Sequence, residues 1–136
     1  MIKPMLDNLM VQQQIRGPYK QWKHMVAVMC LNLTYRKHVK IVLPKLFARY
    51  PNPGAYLRGR LKTQQDILKP LGMWQVRSKR IRKMTEQYLT WDKKEASDLH
   101  GIGKYGSDSY QIFFQNNIPP NVQDKELRKY IDNLAR

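Results

Sequence analysis

Trp22, Met25, Val26, Met29 and Cys30 recur at alternating three- and four-residue steps, the period of a buried helix face. A helix is therefore expected over 22–31. Thr34 or Tyr35 interrupts it, and Val39, Val42, Leu43, Leu46 and Phe47 carry the same period through a second helix over about 37–50. Pro44 falls inside that pattern, where it either kinks the helix or marks its true start. Pro51-Asn52-Pro53-Gly54 reads as a loop by composition. Leu57, Leu61, Ile67 and Leu68 predict short helices ending near Lys69-Pro70-Leu71-Gly72, and Val76, Ile81, Met84 and Tyr88 predict a long helix over 73–89. Helical segments are expected on both sides of Gly101-Ile102-Gly103, with a last helix from about Gln123 to the end. No stretch alternates strictly between apolar and polar, so the pattern predicts an all-α chain, a single domain over 1–136.

Charge narrows the partner. The 136 residues hold 25 Lys and Arg against 10 Asp and Glu, a formal net charge of +15. Such a surplus repels itself on a folded body unless the partner is a polyanion. Nucleic acid is the first expectation and an anionic membrane the weaker one. The best apolar run, 25–31, falls well short of the roughly 20 residues that span a bilayer, and no secretory signal pattern is visible. Cys30 is the sole cysteine, which leaves no internal disulfide, no cysteine-cluster zinc site and no cysteine-ligated iron–sulfur cluster. His24, His38 and His100 have no zinc-ligand spacing. The expectation is an intracellular, metal-free monomer with no membrane partner, in the nucleus if eukaryotic and in the cytoplasm or nucleoid otherwise.

One segment carries more chemistry than the rest: Leu99-His100-Gly101-Ile102-Gly103-Lys104-Tyr105-Gly106. Two glycines one residue apart can each take a positive φ and turn the backbone sharply between helices. Ile102 between them can anchor the turn in the core. Amides after Gly103 open a new helix, and free N–H groups at a helix N-terminus hold a phosphate oxygen well. Lys104 adds a charged contact beside them. Any tight helix–helix turn would use the same two glycines.

The octapeptide resembles the hairpin of the endonuclease III, or helix-hairpin-helix, superfamily of DNA glycosylases. Extended through Ser107-Asp108-Ser109-Tyr110, it is similar to one branch in particular, the catalytic domain of methyl-CpG-binding thymine mismatch glycosylases. Leu31-Asn32-x-Thr34, Tyr50-Pro51, Leu68-Lys69-Pro70-Leu71-Gly72, Arg77-x-Lys79, Tyr88-Leu89-Thr90 and Asp124-x-x-Leu127-x-Lys129-Tyr130 follow in the same order. The likeness covers nearly everything from Trp22 onward, and no methyl-CpG-binding domain is seen. It implies an all-α, two-lobed fold without an iron–sulfur cluster. One lobe is a helical bundle over 22–116 with its hairpin at 99–106; the other combines 1–21 with 117–136. Double-stranded DNA would cross the mouth between them.

The same resemblance implies the chemistry. Cleaving an N-glycosidic bond builds positive charge on the deoxyribose, and a nearby carboxylate stabilises it. Asp124 stands where the branch keeps that acid, although an acid at a helix start also complements the dipole without any catalysis. Bifunctional members carry a lysine where Tyr105 stands, and a phenol cannot form their Schiff base. Lys104 is rotated by about 100° along the helix and is expected at the DNA backbone. The reading is a monofunctional glycosylase excising thymine or uracil mispaired with guanine. Alternatives are a same-fold glycosylase for another modified pyrimidine, such as 5-hydroxymethyluracil, and a catalytically silent DNA-binding module. Asn32, Leu33 and Met73 align with segments that fill the gap left by a flipped base; Leu33 replaces the branch's arginine and Tyr35-Arg36 its Ser-Gly. Gln12, with Gln14 in reserve, is the candidate for the base pocket, a glutamine run on an exposed helix being the alternative. Gly101, Gly103, Lys104, Arg77 and Lys79 are the expected phosphate contacts. Asp108 reads as structural and His100 as part of the turn. No cofactor is expected beyond a monovalent cation of the kind related hairpins hold.

Overall fold

The computed structural model describes residues 10–134. All α-helices follow the predicted order: α1 Lys20–Leu31, α2 Arg36–Arg49, α3 Pro53–Arg58, α4 Leu61–Leu68, α5 Trp74–Tyr88, α6 Lys104–Phe114 and α7 Lys125–Leu134. Short 3-10 turns occupy Val11–Gln14, Lys69–Leu71 and Ala96–Asp98. No strand occurs among the described residues. Residues 1–9, expected at the start of the second lobe, lie outside the described residues, as do residues 135–136, expected in the last helix.

The first helix is the axle of the bundle. Every residue of α1 from Trp22 to Cys30 is buried, so the predicted single apolar face is in fact a helix enclosed on all sides. Trp22 has no exposed surface; its ring meets Phe47 and Tyr56, and its indole N–H donates to the Thr85 hydroxyl at 3.0 Å. Two departures in α5 have the same origin. Val76, expected inward, is exposed, while Arg77, Ser78 and Thr85 are buried because each has found an internal acceptor, which removes the cost of burying it.

Loop boundaries also moved. The predicted loop 51–54 ends at Asn52, whose side-chain oxygen accepts from the Ala55 amide at 2.8 Å, while Pro53 opens α3. An asparagine cap followed by proline at the first helical position is a helix start rather than a loop. Helix α2 runs through Pro44 instead of beginning there. Upstream of the glycine pair, the expected helix is only the 3-10 turn Ala96–Asp98. On the far side, α7 docks through Leu127, which is fully buried, and through a Tyr130–Phe113 ring contact at 4.7 Å.

Candidate active site

The hairpin sets the site. Gly101 adopts φ +80, a left-handed conformation that strains any other side chain, and a Cβ there would also displace the flexible Met29 methyl, 2.9 Å away. Gly103 differs from expectation: its φ is −96, and a Cβ would meet nothing within 4 Å. Its missing side chain therefore leaves an open surface directly before the first amides of α6. Ile102 is buried, and its methyl would touch any Cβ at Gly106 at 2.9 Å, which presses the start of α6 against α1.

That placement turns Tyr105 into a cleft of about 670 Å³, within the range of about 300–1,000 Å³ typical of ligand sites. Its walls include Gln12, Asn32, Leu33, Tyr35, Arg36, Gly103, Lys104, Asp124 and Glu126. The Tyr105 hydroxyl accepts from the Gln12 amide nitrogen at 2.6 Å. Burial, with added repulsion from Asp124 and Glu126, pushes its pKa up to about 12, against the Gln12 hydrogen bond and Arg36. Gln12 also donates to Ser109, which meets His24 at 2.8 Å. Burial drives the His24 imidazole down to about 3, so it stands neutral at pH 7. The Gln12 Oε1 is buried without a hydrogen-bond partner.

Asp124 caps α7: its Oδ2 accepts from the Leu127 amide at 2.9 Å, as an N-cap carboxylate does. Asp124 also lines the cleft. Leu33 and Met73 sit at the tips of two turns, with φ of 57 and 48 and side chains 83% and 50% exposed. An exposed leucine and an exposed methionine in left-handed backbone are strained, unburied positions, the kind that cluster at working surfaces. Leu33 and Asn32 border the main cleft; Met73 lies beside it, in a small crevice with Asn32, Arg80 and Gly101.

Other residues sit elsewhere than expected. Arg77 is buried and uses all five guanidinium donors internally, on the carbonyls of Met29, Cys30, Asn32 and Gly72 and on the Thr34 hydroxyl. It is a strut between the Leu33 turn and the Met73 turn, not a surface cation, because uncapped carbonyls at the end of α1 attract it inward. Lys79 is exposed on α5. Lys104 lines the cleft with its ammonium 2.9 Å from Asp108, a buried acid. Gln12 rather than Gln14 borders the cleft. Sequence reasoning missed one pair: Arg36 and Glu126 meet at 3.3 Å inside the cleft, and no local pattern signals a contact between residues 90 positions apart.

The chain is similar to the methyl-CpG-binding domain protein 4-like protein of Arabidopsis thaliana, with 30% identity over 130 residues, 93% of this chain and 28% of the relative. Its fold is similar to that of a thermostable thymine-DNA glycosylase, with a TM-score of 0.69 and 18% identity over 80% of this chain and 52% of the other. It is likewise similar to endonuclease III in a non-covalent DNA complex, with a TM-score of 0.66 and 19% identity over 76% and 51%. The chain thus spans under a third of the plant relative and about half of each solved chain. No family model matches it.

Proposed function

We propose that this chain, similar over 93% of its length to a methyl-CpG-binding domain protein 4-like protein and similar in fold to endonuclease III, is a monofunctional DNA N-glycosylase releasing thymine or uracil mispaired with guanine. The observation that carries the reading is the cleft itself, where a carboxylate, Asp124, and a half-buried phenol, Tyr105, face one space beside the hairpin.

Duplex DNA would lie along the hairpin, a backbone phosphate taking the first amides of α6 beside the open Gly103 surface. Arg80, which shares a crevice with Gly101, and Lys79, exposed on the same helix, supply positive charge to a chain whose net charge is +15. A base within the stack is out of reach, so the nucleotide must be extruded at a cost of a few kcal/mol. Leu33 and Met73 are the apolar side chains available to fill the gap. In the cleft, Gln12 and the Tyr105 hydroxyl, hydrogen-bonded to each other at 2.6 Å, border the space where the extruded base would sit. The C1′–N1 bond then breaks with its electron pair leaving on the base. Asp124 stabilises the positive sugar and accepts a proton from the water that attacks C1′. Tyr105 has no amine, so no Schiff base forms at that position and the strand stays intact.

Another modified pyrimidine is the second reading, favoured by Leu33 and Tyr35, which offer no paired donors to an opposing guanine. A panel of duplexes carrying thymine, uracil or 5-hydroxymethyluracil opposite guanine or adenine separates the two. Preferred release of thymine and uracil opposite guanine supports the first; release of none of them refutes both.

A further inference from the structure

The cleft holds a cation that the mechanism above does not use. Arg36 opens α2 and Glu126 lies in the first turn of α7; both line the cleft together with Asp124 and Tyr105. Their contact is a single 3.3 Å approach of Arg36 Nη1 to Glu126 Oε2, with the side chains 36% and 44% exposed. Glu126 also lies 3.8 Å from the Lys129 ammonium through its other oxygen, and half-exposed ion pairs of this kind contribute at most about 1 kcal/mol each to stability, so the contact is a poor candidate for a purely structural strut. The contrast with Arg77 is direct: that guanidinium has all five donors engaged, whereas Arg36 uses one on Glu126 among the described residues. The remaining donors stand on the wall of a cavity whose other cation, Lys104, is tied to Asp108.

Charge balance in the bond-breaking step gives this arrangement a use. Heterolysis of C1′–N1 creates two opposite charges, a positive sugar and a pyrimidine anion delocalised from N1 over O2 and O4. Asp124 answers only the first. We propose that Arg36, steadied by Glu126, faces the departing base and stabilises its negative charge. Guanidinium donors placed where an anion develops strengthen as the bond breaks and so lower the barrier. The base leaves as the anion and is protonated by water afterwards, while the attacking water's other proton goes to Asp124. The inference rests on the glycosylase reading.

Leaving-group dependence tests it. Single-turnover excision of uracil and of 5-fluorouracil, each opposite guanine, is measured for the wild type, Arg36→Met and Arg36→Lys. 5-Fluorouracil is nearly the same shape but leaves as a more stable anion. Arg36→Met should lose about 100-fold on uracil and only about tenfold on 5-fluorouracil, the difference reporting charge stabilisation. Arg36→Lys should recover part of the uracil rate, and thermal melts of all three proteins should agree within a few degrees. Equal losses on the two bases, or no loss, overturn the proposal and leave the glycosylase reading standing. A wild type inert on both bases removes that reading and this proposal with it.

Discussion

Replacing Arg77 with methionine tests how the two exposed turns are held. The guanidinium bonds carbonyls at the end of α1 and in the Leu33 turn, the Gly72 carbonyl ahead of Met73, and the Thr34 hydroxyl, at 2.6 to 3.4 Å. Hydrogen bonds to a charged group contribute about 1.5–3 kcal/mol each when lost singly. Losses here do not add, because the Asn32 and Gly72 carbonyls lie near the surface and can rehydrate. Removing a buried cation also restores its desolvation cost. A net loss of about 3 kcal/mol follows. At about 2.1 cal/mol/K of unfolding entropy per residue, a chain of 136 residues should then lose about 10 °C in Tm. Arg77→Lys should fall between, since an ammonium offers three donors in place of five. Far-UV circular dichroism melts at pH 7 measure both. A Tm within about 3 °C of wild type would refute the strut. A DNA-affinity salt slope reduced by about one, with stability unchanged, would instead return Arg77 to the phosphate backbone.

Further outcomes follow from the same geometry. Leu33→Ala should slow excision from duplex about 10- to 100-fold and from single strands less than about threefold, because unstacking is absent there; equal losses would take Leu33 out of the flipping step. Borohydride added during turnover should trap no enzyme–DNA adduct, since Tyr105 lacks an amine; an adduct that disappears in Lys104→Met would make Lys104 a nucleophile. His24 titrates near 3 when folded and at an ordinary 6.5 when not, so the unfolded chain binds the extra proton between those values. Its contribution to stability is complete above about pH 6.5 and falls by up to about 1.4 kcal/mol per pH unit below it. In His24→Gln that part of the pH profile should flatten, and an unchanged slope in denaturant titrations at pH 4 to 7 would contradict the assignment.

Helix order was legible because three-and-four spacing survives in α1, α2 and α4. The enclosure of α1 was not, since Lys23 and His24 look polar until their partners at Arg16 and Ser109 are known. Val76 misled for the converse reason: an apolar residue in register with a buried face can still stand on the surface when Arg77 and Ser78 take the inward positions. Of the candidate site, Asp124, Tyr105 and Gln12 are picked out by resemblance, and Leu33 and Met73 by alignment with the family's gap-filling segments. Arg77 was misplaced because a basic residue on a helix gives no sign of the carbonyls it will meet. Arg36 and Glu126 had no sequence signal, being charged residues at two separate helix starts that only the folded chain brings together.

Asp124→Asn is the most direct test of the central claim. Asparagine caps a helix as well as aspartate does, so the Leu127 amide keeps its acceptor and the fold is preserved; only the charge facing the sugar is lost. Base release from a duplex with a guanine–thymine or guanine–uracil pair is measured under single turnover, alongside mismatch affinity. The wild type should give free base and an abasic strand, and the variant should lose at least about 1,000-fold in rate while keeping its affinity within about threefold. Release within tenfold of wild type by Asp124→Asn would contradict the central claim.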